Sequence, residues 1–219
     1  MKVMAFNGSP KMEKSNTSLI LNPFLDGLKD AGASVELYYT RKLNVNPCQG
    51  CRVCASKRPG ECVQKDDMQD MYPKLRQADV WVFATPVYWC GMSGPLKNLI
   101  DRMVPLLQPM TGAGNADGRG RVVLVSNCGW WDMAIFDLLV SHMRMFSMGA
   151  GRDYAGALLR PHGPALGPMM EAGKPVGDVV EAAKEAGRQL ALKGVMAEDT
   201  LKVVGRELMS REAFLQAEA

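Results

Sequence analysis

Five short, mainly apolar runs recur along this chain: Lys2–Phe6, Ala33–Tyr39, Asp79–Ala84, Arg121–Asn127 and Asp153–Leu159. Between them the apolar residues switch to helical spacing, as at Ile20, Phe24 and Leu28 with Leu21 and Leu25. Strands that alternate with helices imply an α/β fold with a mainly parallel sheet, because parallel neighbours need a long crossover between them. The run DVWVFA at Asp79–Ala84 is continuously apolar after its first residue, as a strand buried on both faces requires. Five such strands fit the doubly wound order 2-1-3-4-5. In that order a ligand sits beyond the carboxyl ends of the strands, where strands one and three diverge.

The helical segments have readable ends. Helix one is expected from Asn16 to Ala31, with Gly32 as its stop and a kink or late start at Pro23. Helix two opens at Asp66 and Asp67 and ends near Gln77. Helix three runs from Pro95, a good first residue, to Leu107. A linker, Gln108–Gly118, precedes strand four. Helix four is expected over Asp132–Met148, and a Pro/Gly-rich loop over Arg160–Gly173. Two helices close the chain, Val176–Lys193 and Glu198 to about Leu215, separated by Gly194. The reading is one domain over residues 1–219, with a cysteine loop (41–63) inserted after strand two and a helical tail (174–219).

Composition excludes more than it selects. At 219 residues the chain is long enough for one sizeable core. A net charge of +3 is too small to point to nucleic acid or an anionic membrane. No stretch approaches ~18 consecutive apolar residues, so no membrane span is expected. The first strand starts without a basic region and apolar signal core ahead of it, which predicts a cytoplasmic protein. Sixteen scattered Met residues read as adaptable core filling.

The predicted order brings three distant loops together. Asn7-Gly8-Ser9-Pro10 breaks strand one, and hydroxyls and amides follow at Ser9, Ser15, Asn16, Thr17 and Ser18. Free N–H groups and the positive helix end would make an anion site there, unless the segment is simply an N-capped helix. It is neither GxxxxGK[ST] nor GxGxxG, which argues against a triphosphate or dinucleotide fingerprint. The second loop, Pro86–Gly94, and the third, Asn127–Trp131, add aromatic surface, glycines and backbone donors. A flat apolar ring with a phosphate tail would suit this set. Core or subunit packing is the alternative role for Tyr88 and Trp89.

Four of the six cysteines form C-x2-C-x2-C-x7-C at Cys48, Cys51, Cys54 and Cys62. Such crowding points to metal or redox chemistry and not to a disulfide framework. The ligand count matches a four-iron cluster, whereas structural zinc usually shows two separated pairs. Reduced thiols or a labile zinc site are the alternatives. Lys57, Arg58, Pro59 and Gly60 make the last gap bulge, and loop amides with Lys57 or Arg58 are the expected donors to the sulfurs. Cys90 and Cys128 read as small buried hydrophobes beside the ring. His142 and His162 lack metal spacing, and Asp101 and Arg102 read as structural partners at the end of helix three.

The segments GSPKMEKSNTSLI, DDM at Asp66–Met68 and ADVWVFATPVYWCGMSGPLKNLIDR, with a Gly-bearing loop after strand four, resemble the NADPH-dependent FMN reductase and iron–sulfur flavoprotein superfamily. The resemblance runs from Lys2 to about Leu159. It implies a flavodoxin-like three-layer fold, bound FMN and a homodimer or homotetramer. By motif, Ser9, Lys11, Asn16, Thr17 and Ser18 would hold the phosphate. Pro86, Val87, Tyr88, Trp89 and Gly91 would lie along the ring, and Asn127, Cys128 and Gly129 would close its far side. Backbone N–H groups of the Tyr88–Gly91 loop would be its hydrogen-bond partners, with no protein acid, base or nucleophile. The cysteine motif resembles that of flavoproteins that pass electrons between a 4Fe-4S cluster and FMN, fed by a ferredoxin-like donor. Two other functions fit: an NAD(P)H-dependent FMN or quinone reductase with no cluster, and a metal-binding interaction module without turnover.

Overall fold

The computed structural model describes residues 1–107 and 120–217. The expected linker at Gln108–Gly118 lies outside the described residues. Strands β1 (Lys2–Asn7), β2 (Ser34–Tyr39), β3 (Val80–Pro86), β4 (Arg121–Asn127) and β5 (Asp153–Arg160) form one sheet in the order β2-β1-β3-β4-β5. Every neighbouring pair is parallel. This is the order expected from the alternation of strands and helices.

Strand alternation divides the core in two. Val3, Ala5, Val80, Val82, Ala84, Val123 and Val125 face one side and pack on α1 (Asn16–Asp30) and α6 (Gly177–Lys193). Met4, Phe6, Trp81, Phe83, Val122 and Leu124 face the other. There they meet α2 (Met68–Gln77), α3 (Gly94–Asp101) and α4 (Asp137–Gly149). Successive residues of a strand point to opposite faces, so a run apolar at every position is what a sheet covered on both sides needs.

Helix α1 is continuous through Pro23, without the expected late start. One missing backbone donor is outweighed by the burial of Ile20, Leu21, Phe24, Leu25 and Leu28 along a single face. Gly32 ends it with φ at +86°, and the amides of Gly32 and Ala33 bond back to Lys29 and Leu28. That is a Schellman stop, which a glycine adopts without steric cost. Helix α6 lies against α1 at backbone distance. A Cβ on Gly187 would come within 2.0 Å of the Phe24 carbonyl oxygen, and one on Gly27 within 1.8 Å of that of Lys184.

Four boundaries differ from the expectations. The segment read as a loop over Arg160–Gly173 contains a helix, α5 (Gly163–Glu171). Pro164 stands at its start, where proline is favourable, and Leu166 is buried within the α1 face of the core, so tertiary packing overrides the Pro/Gly composition. The last helix is two, α7 (Glu198–Gly205) and α8 (Arg211–Ala217). Arg206 turns the chain out of α7 and binds Asp178, with its Nε 2.6 Å from Oδ2. Helix α3 ends at Asp101, because Pro105 cannot donate back to the turn before it; a tight turn over Val104–Leu106 follows. A similar tight turn, Met133–Phe136, precedes α4, capped by Asp132 accepting from the Ala134 amide at 2.9 Å. Among the described residues no helix is long and apolar enough to cross a membrane.

Candidate functional site

At the carboxyl edge of the sheet the three loops line one cleft of about 160 Å³. Ser9, Lys11, Ser15, Asn16 and Thr17 come from the first loop, Pro86, Val87 and Tyr88 from the second, and Asn127, Cys128 and Gly129 from the third; Pro164 completes the wall. Ser15 and Pro164 are not among the cofactor contacts that the resemblance implies. The hydroxyl run carries a signal for Ser15, whereas Pro164 sits in α5, in a stretch whose composition predicts a loop. The cleft is smaller than the roughly 300–1,000 Å³ usual for a drug-sized ligand. Its volume suits a phosphate and its tether.

The first loop is fixed by its own side chains. Asn7 accepts from the Ser9 amide at 2.9 Å and donates to Ser18 Oγ at 3.0 Å. Ser18 Oγ in turn donates to the Met12 carbonyl at 2.8 Å, so this buried hydroxyl is engaged inside the loop and does not line the cleft. Ser15 caps α1, its Oγ accepting from the Ser18 amide at 3.1 Å. The amides of Asn16 and Thr17 open the helix and have no intrahelical acceptor by construction, which leaves donors at the cleft. Gly8 sits where the loop crosses β3 and α3. A Cβ there would stand 2.7 Å from Leu96 Cβ and 2.8 Å from Ser93 Oγ, so only glycine fits without a shift.

Across the cleft, Thr17 Oγ1 donates to Asn127 Oδ1 at 2.6 Å. Gly163, at the start of α5, presses on the same amide: a Cβ there would come within 2.6 Å of Asn127 Nδ2. Cys128 is buried, its Sγ 3.4 Å from the Trp130 carbonyl oxygen, and burial pushes its thiol pKa up to about 11. It is therefore a neutral wall group at neutral pH.

The second loop is a two-residue reversal. Tyr88 and Gly91 exchange both backbone hydrogen bonds, at 2.9 and 3.0 Å. Trp89 (φ +47°) and Cys90 (φ +60°) occupy its left-handed positions, a pair normally filled by Asn and Gly. Gly91, at the close of the turn, does not have positive φ. The amides of Tyr88 and Gly91 are used within the turn, so those of Trp89 and Cys90 are the ones it can offer. The Trp89 ring is fully exposed, and neither Trp89 nor Gly91 lines the cleft. Strain of this kind costs on the order of 1–3 kcal/mol per residue and clusters at functional sites.

The four cysteines of the motif share a second, small cavity of about 20 Å³, walled on the other side by Asp101, Arg102, Val104 and Pro105. The expected bulge brings Cys62 back. Arg58 and Gly60 donate to the Val53 and Cys54 carbonyls at 2.9 and 3.0 Å, with Gly60 at φ +82°. Burial and then the neighbouring Cys62 push the Cys54 thiol pKa up. Among the described residues no three His, Cys, Asp or Glu side chains are placed to hold one metal ion. The donor expected from Lys57 or Arg58 comes instead from Arg102, whose Nη2 lies 3.4 Å from Cys62 Sγ. Contact across forty residues follows from packing and has no local signal. Arg102 and Asp66 form an ion pair with both side chains fully buried, at 2.5 and 3.0 Å. Burial works against the Asp66 carboxylate, but the hydrogen bonds from Arg102 and the Asn46 amide outweigh it and hold the pKa below the usual range.

The family model for NADPH-dependent FMN reductase matches residues 1–151. An iron-sulfur flavoprotein of Archaeoglobus fulgidus is 36% identical over 122 residues, 56% of this chain and 56% of the relative. One of Methanocaldococcus jannaschii is 37% identical over 106 residues, 48% and 53% respectively. The chain thus spans about half the length of the curated relatives it matches. Among solved structures, an NAD(P)H:quinone oxidoreductase from Methanothermobacter marburgensis superposes with a TM-score of 0.65 at 18% identity, covering 87% of this chain and 96% of that one. Its likeness establishes the shared fold.

Proposed function

The chain belongs to the NADPH-dependent FMN reductase family, and on that premise we propose that it is an FMN-dependent oxidoreductase of the iron–sulfur flavoprotein type, exchanging electrons between FMN and a 4Fe-4S centre. The observation that carries the flavin half is the convergence of the three loops on one cleft at the switch point of the sheet. The residues present fit the cofactor. The Ser9 hydroxyl, Lys11 and the opening amides of α1 supply donors for a phosphate, Ser15 and Thr17 shape its wall with their protons given to Met12 and Asn127, and Pro86, Val87 and Tyr88 supply apolar surface for a ring. Ser18 holds the loop in shape, and Asn127 and Gly129 bound the far side. Trp89 and Gly91 belong to the turn that presents amides at the edge of the cleft.

Bound FMN supplies the redox chemistry, and a four-iron centre supplies one-electron exchange with it. The chain's own work is to bind, orient and insulate. Cys128, kept a neutral thiol, adds no charge to the wall. Cys48, Cys51, Cys54 and Cys62 would ligate the cluster from the cavity they share, with Arg102 as a donor to Cys62. A ferredoxin-like protein, NAD(P)H or a quinone would be the outside redox partner, in a homodimer or homotetramer. Anaerobic reconstitution tests the reading: about four irons and four sulfides per chain are expected, the stoichiometry of a four-cysteine cubane. The visible spectrum should then show a broad brown absorption that NADPH leaves in place.

A cluster-free NAD(P)H-dependent FMN or quinone reductase is the second reading. It is favoured by the absence, among the described residues, of any three metal-binding side chains placed around one point. Flavin bands alone, bleached by NADPH, with no iron uptake, would select it.

A further inference from the structure

We propose that Arg102 is the positioning residue of the thiol cavity, clamping the neck of the cysteine loop and donating the hydrogen bond that sets Cys62 and the potential of a cluster held there. The inference rests on the cluster reading above. Arg102 follows α3 directly, and its guanidinium is fully buried. Nη1 donates to the Asn46 carbonyl at 2.9 Å and to Asp66 Oδ2 at 2.5 Å. Nη2 donates to Asp66 Oδ1 at 3.0 Å and to Cys62 Sγ at 3.4 Å. Asp66 also accepts from the Asn46 amide at 3.0 Å.

Asn46 lies just before Cys48, and Asp66 just after Cys62. A single side chain therefore grips both ends of the segment that carries all four thiols. Closing such a loop costs entropy, which this staple offsets in the folded chain before any ligand arrives. Arg102 Nε is buried and finds no hydrogen-bond partner among the described residues, although the side chain lines the thiol cavity. An unmet buried donor is costly, and an anionic sulfur in that cavity is the acceptor whose chemistry would match it.

This role differs from bulk packing in two respects. First, only a planar fork can bind a carboxylate through two nitrogens and still reach a sulfur, so lysine is not an equivalent. Second, hydrogen bonds to cluster sulfurs raise the reduction potential, so the residue acts on an electronic property as well as on shape. Helix α3, whose last turn leads into Arg102, starts just beyond the Tyr88–Gly91 turn.

The test compares wild type, Arg102→Lys and Asp66→Asn, each purified anaerobically and reconstituted with ferrous iron and sulfide. FMN affinity, unchanged in all three, reports an intact fold. Arg102→Lys is expected to load less than half the iron of wild type. Its loaded fraction should show a more negative cluster midpoint potential, a change that a purely structural role would not produce. Amides over residues 46–66 should exchange at least tenfold faster, and those of α1 should not. Asp66→Asn, which keeps the donor and loses its anchor, should fall between the two. Should Arg102→Lys fail to bind FMN, Asp66→Asn decides alone. Full loading at the wild-type potential in the variants, with a wild type that loads normally, overturns the inference only. A wild type that takes up no iron overturns the cluster reading and this inference with it.

Discussion

Thr17 Oγ1 and Asn127 Oδ1 lie 2.6 Å apart, joining the first turn of α1 to the end of β4 across 110 residues of sequence. Both residues are buried, and both line the cleft. The bond spans the gap between the first and third loops and holds the cleft at its observed width.

Thr17→Ala should weaken FMN binding about tenfold, about 1.4 kcal/mol, with the fold retained. Asn127→Ala should do the same, and the double variant should be little worse than either, because both remove one shared contact. Titration of the apo proteins with FMN checks this. Fully additive losses would mean that the two residues act separately.

Gly187→Ala should destabilise the chain by about 3 kcal/mol or more, because its Cβ would collide with the Phe24 carbonyl oxygen. Gly177→Ala, with nothing within 4 Å of the added carbon, is the control and should be neutral or mildly stabilising. Urea unfolding of the two variants gives the comparison.

Trp89→Ala should leave stability within about 0.5 kcal/mol of wild type, because the ring is fully exposed. The flavin potential or turnover should change more than the melting temperature. A variant that is mostly unfolded would show that the ring packs in solution, and would remove it from the redox edge.

Asp66 sets an acid limit. Its folded-state pKa lies below the ordinary 3.8, held there by Arg102 and backbone donors against the cost of burial. A depressed carboxyl contributes stability that is complete above the unfolded pKa and lost as pH falls through the folded one. The midpoint of urea unfolding should therefore drop between about pH 5 and pH 2 more steeply in wild type than in Asp66→Asn. Parallel curves would mean that the ion pair contributes nothing measurable in that window.

Much of this molecule is legible in local pattern. The continuous apolar runs at β3 and β4 fit strands covered on both faces, and Gly32 fits the end of α1, because periodicity and φ are local properties. Five such strands fit the order β2-β1-β3-β4-β5 that the structure has. That order places Ser9, Thr17, Pro86, Tyr88, Asn127 and Cys128 at one edge before any coordinate is known. What local pattern cannot carry is contact between distant segments. Helix α5 forms from a Pro/Gly-rich stretch because Leu166 packs into the α1 face of the core. Ser18, one hydroxyl in a row of several, turns inward because Asn7 and Met12 are its neighbours in space. The donor to Cys62 comes from Arg102, past the nearer Lys57 and Arg58, because the end of α3 meets the neck of the cysteine loop. Sequence spacing determined which groups this protein has and along which edge they stand. The packing of α3, α5 and α6 decided which of them face one another, since a buried polar group takes whichever partner the tertiary structure leaves within reach.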